Sequence, residues 1–218
     1  MSLSTKICGL SDAPAVAAAV AGGARFVGFV FYPLSPRCIA PGQAAELAAL
    51  VPDEIFRVGV FVDPGDNLLD AVFARMQLDF IQLHGSESTA RAAEIKARTG
   101  AGIIKTVKLA VPGDMDAARQ FHAVADWILF DAKAPKDLAG ALPGGNALAF
   151  DWRMLADAPQ PASGLPWLLS GGLNIDNLAE ALRISGARAV DVSSGVEVAP
   201  GRKDPELVRD FLALGATF

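Results

Sequence analysis

The chain of 218 residues has few cysteines, no excess of basic residues and no long apolar run. Each of these absences argues against one class of structure or partner. It has two cysteines, Cys8 and Cys38, which allow at most one disulfide and have no metal-type spacing. Basic residues are outnumbered, 19 Lys+Arg against 24 Asp+Glu, which argues against a nucleic-acid partner. Long apolar runs are missing too, and no basic segment followed by an apolar one opens the chain, so we expect neither a membrane partner nor export.

Apolar residues, in contrast, are plentiful. They make up 52% of the chain and charged residues 20%, a composition that excludes disordered and collagen-like proteins. A chain of this length buries roughly 70% of its unfolded surface, so its core needs no disulfide or metal. We predict one globular domain over residues 1–218, located in the cytoplasm, with both thiols free.

Short β-branched or aromatic runs alternate with Ala-rich helical segments along the whole chain. The eight predicted strands cover residues 3–8, 25–31, 56–62, 79–83, 103–107, 127–131, 167–170 and 188–193. Eight strictly alternating units predict a (β/α)8 barrel, the TIM barrel, in the α/β class. The alternative is an open, doubly wound sheet, but the first strand is not followed by the Gly-x-Gly-x-x-Gly turn of dinucleotide-binding sheets.

Apolar spacing also predicts which helical faces are buried, and capping residues predict where the last helix begins. The expected faces are Ala44, Leu47, Ala48 and Val51 in one helix, and Ile175, Leu178, Ala179 and Leu182 in another. Asp204, Pro205 and Glu206 follow the order of cap, fixed φ and acidic first turn, so the last helix should begin there.

Polar residues occupy alternate positions in several predicted strands. They are Lys6 and Cys8, Gln82 and His84, and Lys105. Helices must cover the outer face of such strands, so we expect these side chains to point inward near the mouth of the barrel.

Two strand ends carry groups able to transfer protons. Cys8 ends the first predicted strand and Asp131 the sixth. On opposite sides of the mouth they could work on one substrate from two directions. The alternatives are that Cys8 is only a small buried apolar residue and that Asp131 only caps the following helix.

The loops after the seventh and eighth strands are rich in glycine and serine. Residues 170–173 read Ser-Gly-Gly-Leu, and residues 191–197 read Asp-Val-Ser-Ser-Gly-Val-Glu. In barrels these two loops commonly bind phosphate, so we expect a phosphorylated substrate, although the glycines could simply turn the chain. Asp191 and Glu197 fit such a site only if their carboxylates point elsewhere.

Three further features have less specific meanings. Arg37 follows two prolines in the loop after the second strand and could clamp a carboxylate, or could be an ordinary solvated arginine. His84 could be an acid or base, or a hydrogen-bonded wall residue. The long interval between Asp131 and Ser170 suggests an enlarged active-site loop.

Taken together, these motifs resemble the phosphoribosylanthranilate isomerase family of tryptophan biosynthesis. The matching stretches are residues 6–9, 35–37, 82–85, 150–152, 170–173, 191–197 and 200–204, in order along the whole chain. Residues 144–149 depart from the family's usual glycine-rich loop, and Ala132 stands where a hydroxyl-bearing residue is more common.

The resemblance implies a (β/α)8 barrel that performs an Amadori rearrangement of N-(5-phosphoribosyl)anthranilate without cofactor or metal. We expect it to be a monomer or a homodimer. It implies that Cys8 is the general base and Asp131 the general acid, and that Arg37 holds the anthranilate carboxylate. The other residues implied to contact the substrate are Gln82, His84, Gly171, Gly172, Ser193, Ser194 and Gly195. We further expect Lys6 or backbone N–H groups to lower the pKa of Cys8.

Two other functions remain open at this point. A related aminosugar-phosphate isomerase on the same fold would be expected to carry a carboxylate in place of Cys8, and to have two similar halves. A non-catalytic barrel that binds a phosphorylated metabolite would keep the two phosphate loops and use Cys8 for packing only.

Overall fold

The computed structural model describes residues 3–133, 150–156 and 164–218, and its centre is a closed barrel of parallel strands. The strands are β1 Ser4–Cys8, β2 Phe26–Val30, β3 Phe56–Phe61, β4 Phe80–Leu83, β5 Gly102–Leu109, β6 Trp127–Ala132, β7 Trp167–Leu169 and β8 Ala189–Val192. They pair in chain order, and β8 pairs with β1 to close the ring. The predicted (β/α)8 barrel is confirmed.

Helices follow the strands and pack on the outside of the barrel. They are α1 Ala13–Ala21, α2 Pro41–Ala48, α3 Asp66–Phe73, α4 Thr89–Thr99, α5 Asp116–Gln120, α6 Arg153–Ala156, α7 Leu178–Ser185 and α8 Pro205–Gly215. A short antiparallel hairpin, β9 Glu197–Ala199 and β10 Arg202–Lys203, lies between β8 and α8. Among the described residues, none of the helices has the length and apolar character that crossing a bilayer requires.

The start of α8 and the buried face of α2 match their predictions. The Asp204 carboxylate accepts a hydrogen bond from the backbone N–H of Glu206, and Pro205 is the first helical residue. The four apolar residues predicted to form one face, from Ala44 to Val51, are all buried, although α2 ends at Ala48 and Val51 lies just after it. The capping order therefore located a helix start, and the apolar spacing located a buried face.

The predicted face of α7 is only half correct. Leu178 and Leu182 are buried, but Ala179 is exposed and Ile175 lies in the turn before the helix. Ala181 and Ser185 complete the buried face instead. A serine can be buried there because its Oγ donates to the Ala181 carbonyl oxygen at 2.6 Å, which satisfies the hydroxyl within the helix.

Inside the barrel, apolar side chains fill the end where the strands begin. This inner layer contains Phe26, Val58, Ile104, Leu129, Leu168 and Ala189, with Phe56, Phe80 and Trp127 packed against it. A separate and larger apolar cluster lies between the strands and the helices. Since side chains alternate along a strand, the inner layer fixes which later residues also face inward.

Phe26 is the centre of the inner layer. It is 1% exposed, and its ring centroid lies 5.3 Å from that of Phe56, 6.0 Å from Phe80 and 5.4 Å from Trp127. Because the rings are closely packed, the neighbouring side chains can move little to fill the space of a deleted ring.

We expect Phe26→Ala to lower the free energy of unfolding by about 3–5 kcal/mol, because it leaves a cavity among three aromatic rings. The matched control is Phe218→Ala, at a position 49% exposed, which should change stability by less than about 0.5 kcal/mol. Urea unfolding followed by circular dichroism measures both. Equal losses in the two variants would contradict this account of the inner layer.

Candidate active site

Polar side chains replace the apolar layer where the strands end. Lys6 and Cys8 on β1, and Gln82 and His84 at the end of β4, continue the inward-facing alternation and are all buried. The prediction that these four residues face the interior near the mouth is therefore confirmed.

The same prediction is wrong for Lys105. On β5 the inner-layer residue is Ile104, so the inward positions that follow are Thr106 and Lys108. Lys105 faces outward, where its Nζ donates to Glu87 Oε2 at 2.6 Å and to the Gly85 carbonyl oxygen at 2.9 Å. Two isoleucines precede Lys105 in the sequence, and either could have been the inward one.

Lys108 is the residue on β5 that the sequence analysis missed. It is half-buried and pairs in register with Asp131 of β6, so both side chains face the pocket. Burial lowers the pKa of Lys108, while the nearby negative charge of Asp131 raises it. The Thr106 hydroxyl, one inward position earlier, could have indicated the correct alternation.

Cys8 lies beside a buried ion pair. Lys6 Nζ is 2.7 Å from Asp191 Oδ1, and Asp191 Oδ2 accepts a hydrogen bond from Ser170 Oγ at 3.2 Å. The Asp191 carboxylate is thus engaged inside the barrel. A phosphate site nearby requires that this carboxylate does not repel the anion, and its pairing with Lys6 and Ser170 meets that condition.

The expected lowering of the pKa of Cys8 is wrong in direction. Burial raises the pKa of the Cys8 thiol, Lys6 and Lys203 lower it, Asp191 raises it further, and the sum lies above the ordinary value. Loss of water disfavours the thiolate, and the charge of Lys6 is already shared with Asp191. Cys8 and Cys38 are both free thiols.

Asp131 is held at both carboxylate oxygens. Oδ1 accepts from the backbone N–H of Ala132 at 2.9 Å, and Oδ2 lies 3.2 Å from His84 Nε2. The other ring nitrogen of His84, Nδ1, lies 2.9 Å from Gln82 Nε2 and 3.3 Å from Thr106 Oγ1. Gln82 and His84, predicted as substrate contacts, are therefore arranged in a chain that ends on Asp131.

Cys8 and Asp131 both face the interior at the carboxyl ends of their strands. In the closed ring, β1 and β6 are separated by β7 and β8. A ligand lying across the mouth could therefore meet the thiol from one side and the carboxyl from another.

Arg37 is a buried residue and not a solvated loop arginine. It is 5% exposed, and its guanidinium donates two hydrogen bonds to Glu197, from Nε to Oε1 and from Nη2 to Oε2, each 2.8 Å long. Lys203 Nζ also contacts Glu197 Oε1, at 2.5 Å. Although burial opposes the charge, the hydrogen bonds from Arg37 and Lys203 hold the pKa of Glu197 below its ordinary value.

The glycine- and serine-rich loops meet at the carboxyl ends of β7 and β8. Gly171 and Gly172 adopt φ values of 90° and 65°, which favour glycine. A Cβ at Gly195 would lie 1.9 Å from the Leu173 carbonyl oxygen, so close contact between the two loops requires a glycine there. Ser193 Oγ donates to the Cys8 carbonyl oxygen at 3.1 Å, and Ser194 begins a short 3-10 helix, Ser194–Val196.

Comparison with known proteins agrees with this geometry. Residues 5–213 match the family model described as N-(5'phosphoribosyl)anthranilate (PRA) isomerase. A relative of that name from Paracoccus denitrificans is 57% identical over 98% of this chain and 97% of its own length. Another from Rhodospirillum centenum is 54% identical over 99% of each chain.

Solved structures show the same likeness. The phosphoribosyl anthranilate isomerase of Thermotoga maritima superposes with a TM-score of 0.86 at 34% identity, covering 99% of this chain and 100% of that one. A further structure, at 33% identity and a TM-score of 0.83 over 99% and 100% of the two chains, is a complex of such an isomerase with reduced 1-(o-carboxyphenylamino)-1-deoxyribulose 5-phosphate.

The chain belongs to the N-(5'-phosphoribosyl)anthranilate isomerase family. The isomerase catalyses the Amadori rearrangement of N-(5-phosphoribosyl)anthranilate in tryptophan biosynthesis. This finding favours an enzyme over a barrel that only binds a metabolite. The departure from the family's loop at residues 144–149 lies outside the described residues, as does most of the interval between Asp131 and Ser170.

The outward Lys105–Glu87 pair supports the segment that carries His84. Glu87 Oε1 accepts from the backbone N–H groups of Asp63 and Gly85, so this carboxylate joins the loops after β3 and β4. Burial opposes its charge, but the hydrogen bond and positive charge of Lys105 hold the pKa of Glu87 below its ordinary value.

We expect Lys105→Met to lower the free energy of unfolding of the isomerase by about 3–5 kcal/mol at neutral pH, because Glu87 is left buried without its cation. A carboxyl group whose pKa is depressed in the folded state stabilises that state at pH values above its ordinary pKa, which is about 4.3 for Glu. This stabilisation is lost as the pH falls through the folded-state pKa. The difference between wild type and variant should therefore shrink below about pH 4.

The matched control is Lys133→Met, which removes a half-exposed partner of Asp114 and should cost less than about 1 kcal/mol. Urea unfolding at several pH values measures both variants. A Lys105→Met defect as small as that of the control, or one that grows in acid, would refute this role of the pair.

Proposed function

We propose that Cys8 is the general base and Asp131 the general acid of the rearrangement. The observation that carries this proposal is the position of both side chains, facing the interior of one barrel mouth from strands three places apart in the ring. This arrangement suits a substrate that must gain a proton at one atom and lose another nearby.

In the proposed reaction, Asp131 gives its proton to the ribose ring oxygen. The bond between that oxygen and C1 breaks, and the nitrogen lone pair forms a protonated imine with C1. Cys8, as the thiolate, then removes the proton from C2, and the electrons of that C–H bond move toward the imine to form an enolamine. The enolamine loses its hydroxyl proton and gains one at C1, which gives 1-(2-carboxyphenylamino)-1-deoxyribulose 5-phosphate.

The contacts around Asp131 support its role as a directed proton donor. The carboxyl group is fixed by the Ala132 N–H and by His84, and His84 is itself held by Gln82 and Thr106. Within the proposal, His84 and Gln82 lie on the side of the substrate where Asp131 acts. A direct substrate contact by either residue stays a prediction.

The phosphate is proposed to bind at the ends of β7 and β8. Gly171, Gly172, Ser193, Ser194 and Gly195 bring backbone N–H groups and hydroxyls to this edge, and small residues allow an anion to approach the backbone closely. The phosphorylated ligand named for the related complex supports this choice of substrate class.

Arg37 is proposed to bind the anthranilate carboxylate. Glu197 fixes the plane of the guanidinium, so the substrate would meet an already oriented group and share its donors with Glu197. We also propose that the enzyme is cytoplasmic, has reduced thiols and acts as a monomer or homodimer. A related isomerase from Thermotoga maritima is described as dimeric.

We expect Cys8→Ser and Asp131→Asn each to lower kcat by roughly 10²–10⁴, because each removes one of the two proton-transfer groups. The assay follows conversion of N-(5-phosphoribosyl)anthranilate by the purified chain, with EDTA present to test independence from a metal. Cys38→Ser, at the other cysteine, and Asp53→Asn, at a fully exposed carboxylate, are the matched controls.

Near wild-type turnover by Cys8→Ser would remove the thiol from the mechanism. A small effect of Asp131→Asn would reduce that carboxyl to a structural group. Equal losses in the control variants would show that the assay reports folding and not chemistry.

A further inference from the structure

A buried ion pair, Lys6 with Asp191, lies next to the proposed base, and the reaction scheme does not use it. We propose that Lys6 and Asp191 are positioning residues that act on Cys8 with opposite sign, Lys6 favouring the thiolate and Asp191 restraining it. This inference rests on the proposed function, in which Cys8 removes the C2 proton.

The geometry brings both partners of the pair to the thiol. Lys6 is two residues before Cys8 on β1, so the two side chains share the inner face, and Lys6 is 0% exposed. Its ammonium is hydrogen-bonded to Asp191 Oδ1 at 2.7 Å. A Cβ built on Gly28 of β2 would lie 3.1 Å from Cys8 Sγ and 3.4 Å from Lys6 Nζ, so both groups pack over the same glycine.

The Lys6 ammonium keeps its charge inside the barrel. Burial by itself lowers the pKa of Lys6, but Asp191 and then Cys8 raise it above the ordinary value, so the amine keeps its proton. Ser170 donates to the other oxygen of Asp191 and fixes the carboxylate in place. Whatever part of the Lys6 charge Asp191 neutralises is no longer available to stabilise a thiolate.

The charges acting on the thiol come from three strands. They are Lys6 on β1, Asp191 on β8 and Lys203 on β10. Lys203 is itself held by Glu197 and by the Ser193 carbonyl oxygen. Of the three, Lys6 is the cation with the larger influence on Cys8, and Asp191 is the anion that opposes it.

Pairing the Lys6 ammonium with Asp191 limits how strongly it stabilises the Cys8 thiolate, and this limit is useful to a base. A thiolate fully stabilised by a cation is easy to form but weakly basic, whereas an unassisted buried thiol rarely ionises. A base that removes a proton from carbon works best between these limits, with a pKa near the operating pH. Asp191 would keep the Cys8 thiolate basic enough for this step.

The test is the pH dependence of Cys8 alkylation by iodoacetamide, followed by mass spectrometry in a Cys38→Ser background. In Lys6→Met we expect the midpoint of the alkylation profile to rise, and the rate near pH 7.5 to fall about tenfold for each unit of that rise. In Asp191→Asn we expect the midpoint to fall and the rate at the same pH to increase. A purely structural role of the pair would move both variants in the same direction.

Lys6→Met leaves Asp191 buried without its cation and could fail to fold. The double variant Lys6→Met/Asp191→Asn avoids this problem, and comparison with Asp191→Asn isolates the effect of the ammonium. The double variant should show the higher midpoint. Equal midpoints in these two proteins, or shifts of the same sign in the two single variants, would overturn the proposal.

Activity is measured separately, on the wild-type chain and on Cys8→Ser. Opposite shifts in alkylation together with full turnover by Cys8→Ser would leave the action of the ion pair intact and reject Cys8 as the base. Loss of turnover in Cys8→Ser without opposite shifts would do the reverse.

Discussion

The alternation of side chains along eight strands that close on themselves is the constraint on which the site depends. Closure leaves an interior that only every second residue can reach, and apolar side chains occupy that interior at the end where the strands begin. The polar residues that follow at the other end therefore meet in one small volume. Lys6, Cys8 and Asp191 are neighbours for this reason, although the chain separates Lys6 from Asp191 by 185 positions, and Asp131 faces the same interior from β6.

Placing so many charges out of water requires that they be paired. Lys6 with Asp191, Arg37 with Glu197 and Lys203 with the same Glu197 form contacts of 2.5–2.8 Å around the pocket. Each pair joins residues from different strands or loops, so the pairs also fix the positions of the groups between them. A thiol in this setting is governed by two opposing effects, loss of hydration and the field of nearby ions, and the first of these is the larger for Cys8.

Much of the site could be predicted because its residues sit at strand ends, and strand ends are visible in the pattern of apolar runs. Lys105 shows the limit of that approach. Its neighbours Ile103 and Ile104 are both apolar, so the sequence does not reveal which one faces inward, and a shift by one position exchanges Lys105 for Lys108. Gln82 and His84 were placed correctly inside the barrel, yet only the three-dimensional contacts show that they end on Asp131.

The sequence by itself determined the number and order of the eight barrel strands, the barrel, the family and the identity of the chemical groups, because these follow from local periodicity and from motifs carried in short stretches. Tertiary structure alone decided how the charges are shared. The pairing of Lys6 with Asp191 beside Cys8, and the pairing of Arg37 with Glu197, depend on distances between residues far apart in the chain. Electrostatic energy inside a protein varies with those distances and with burial, and neither can be read from residue order.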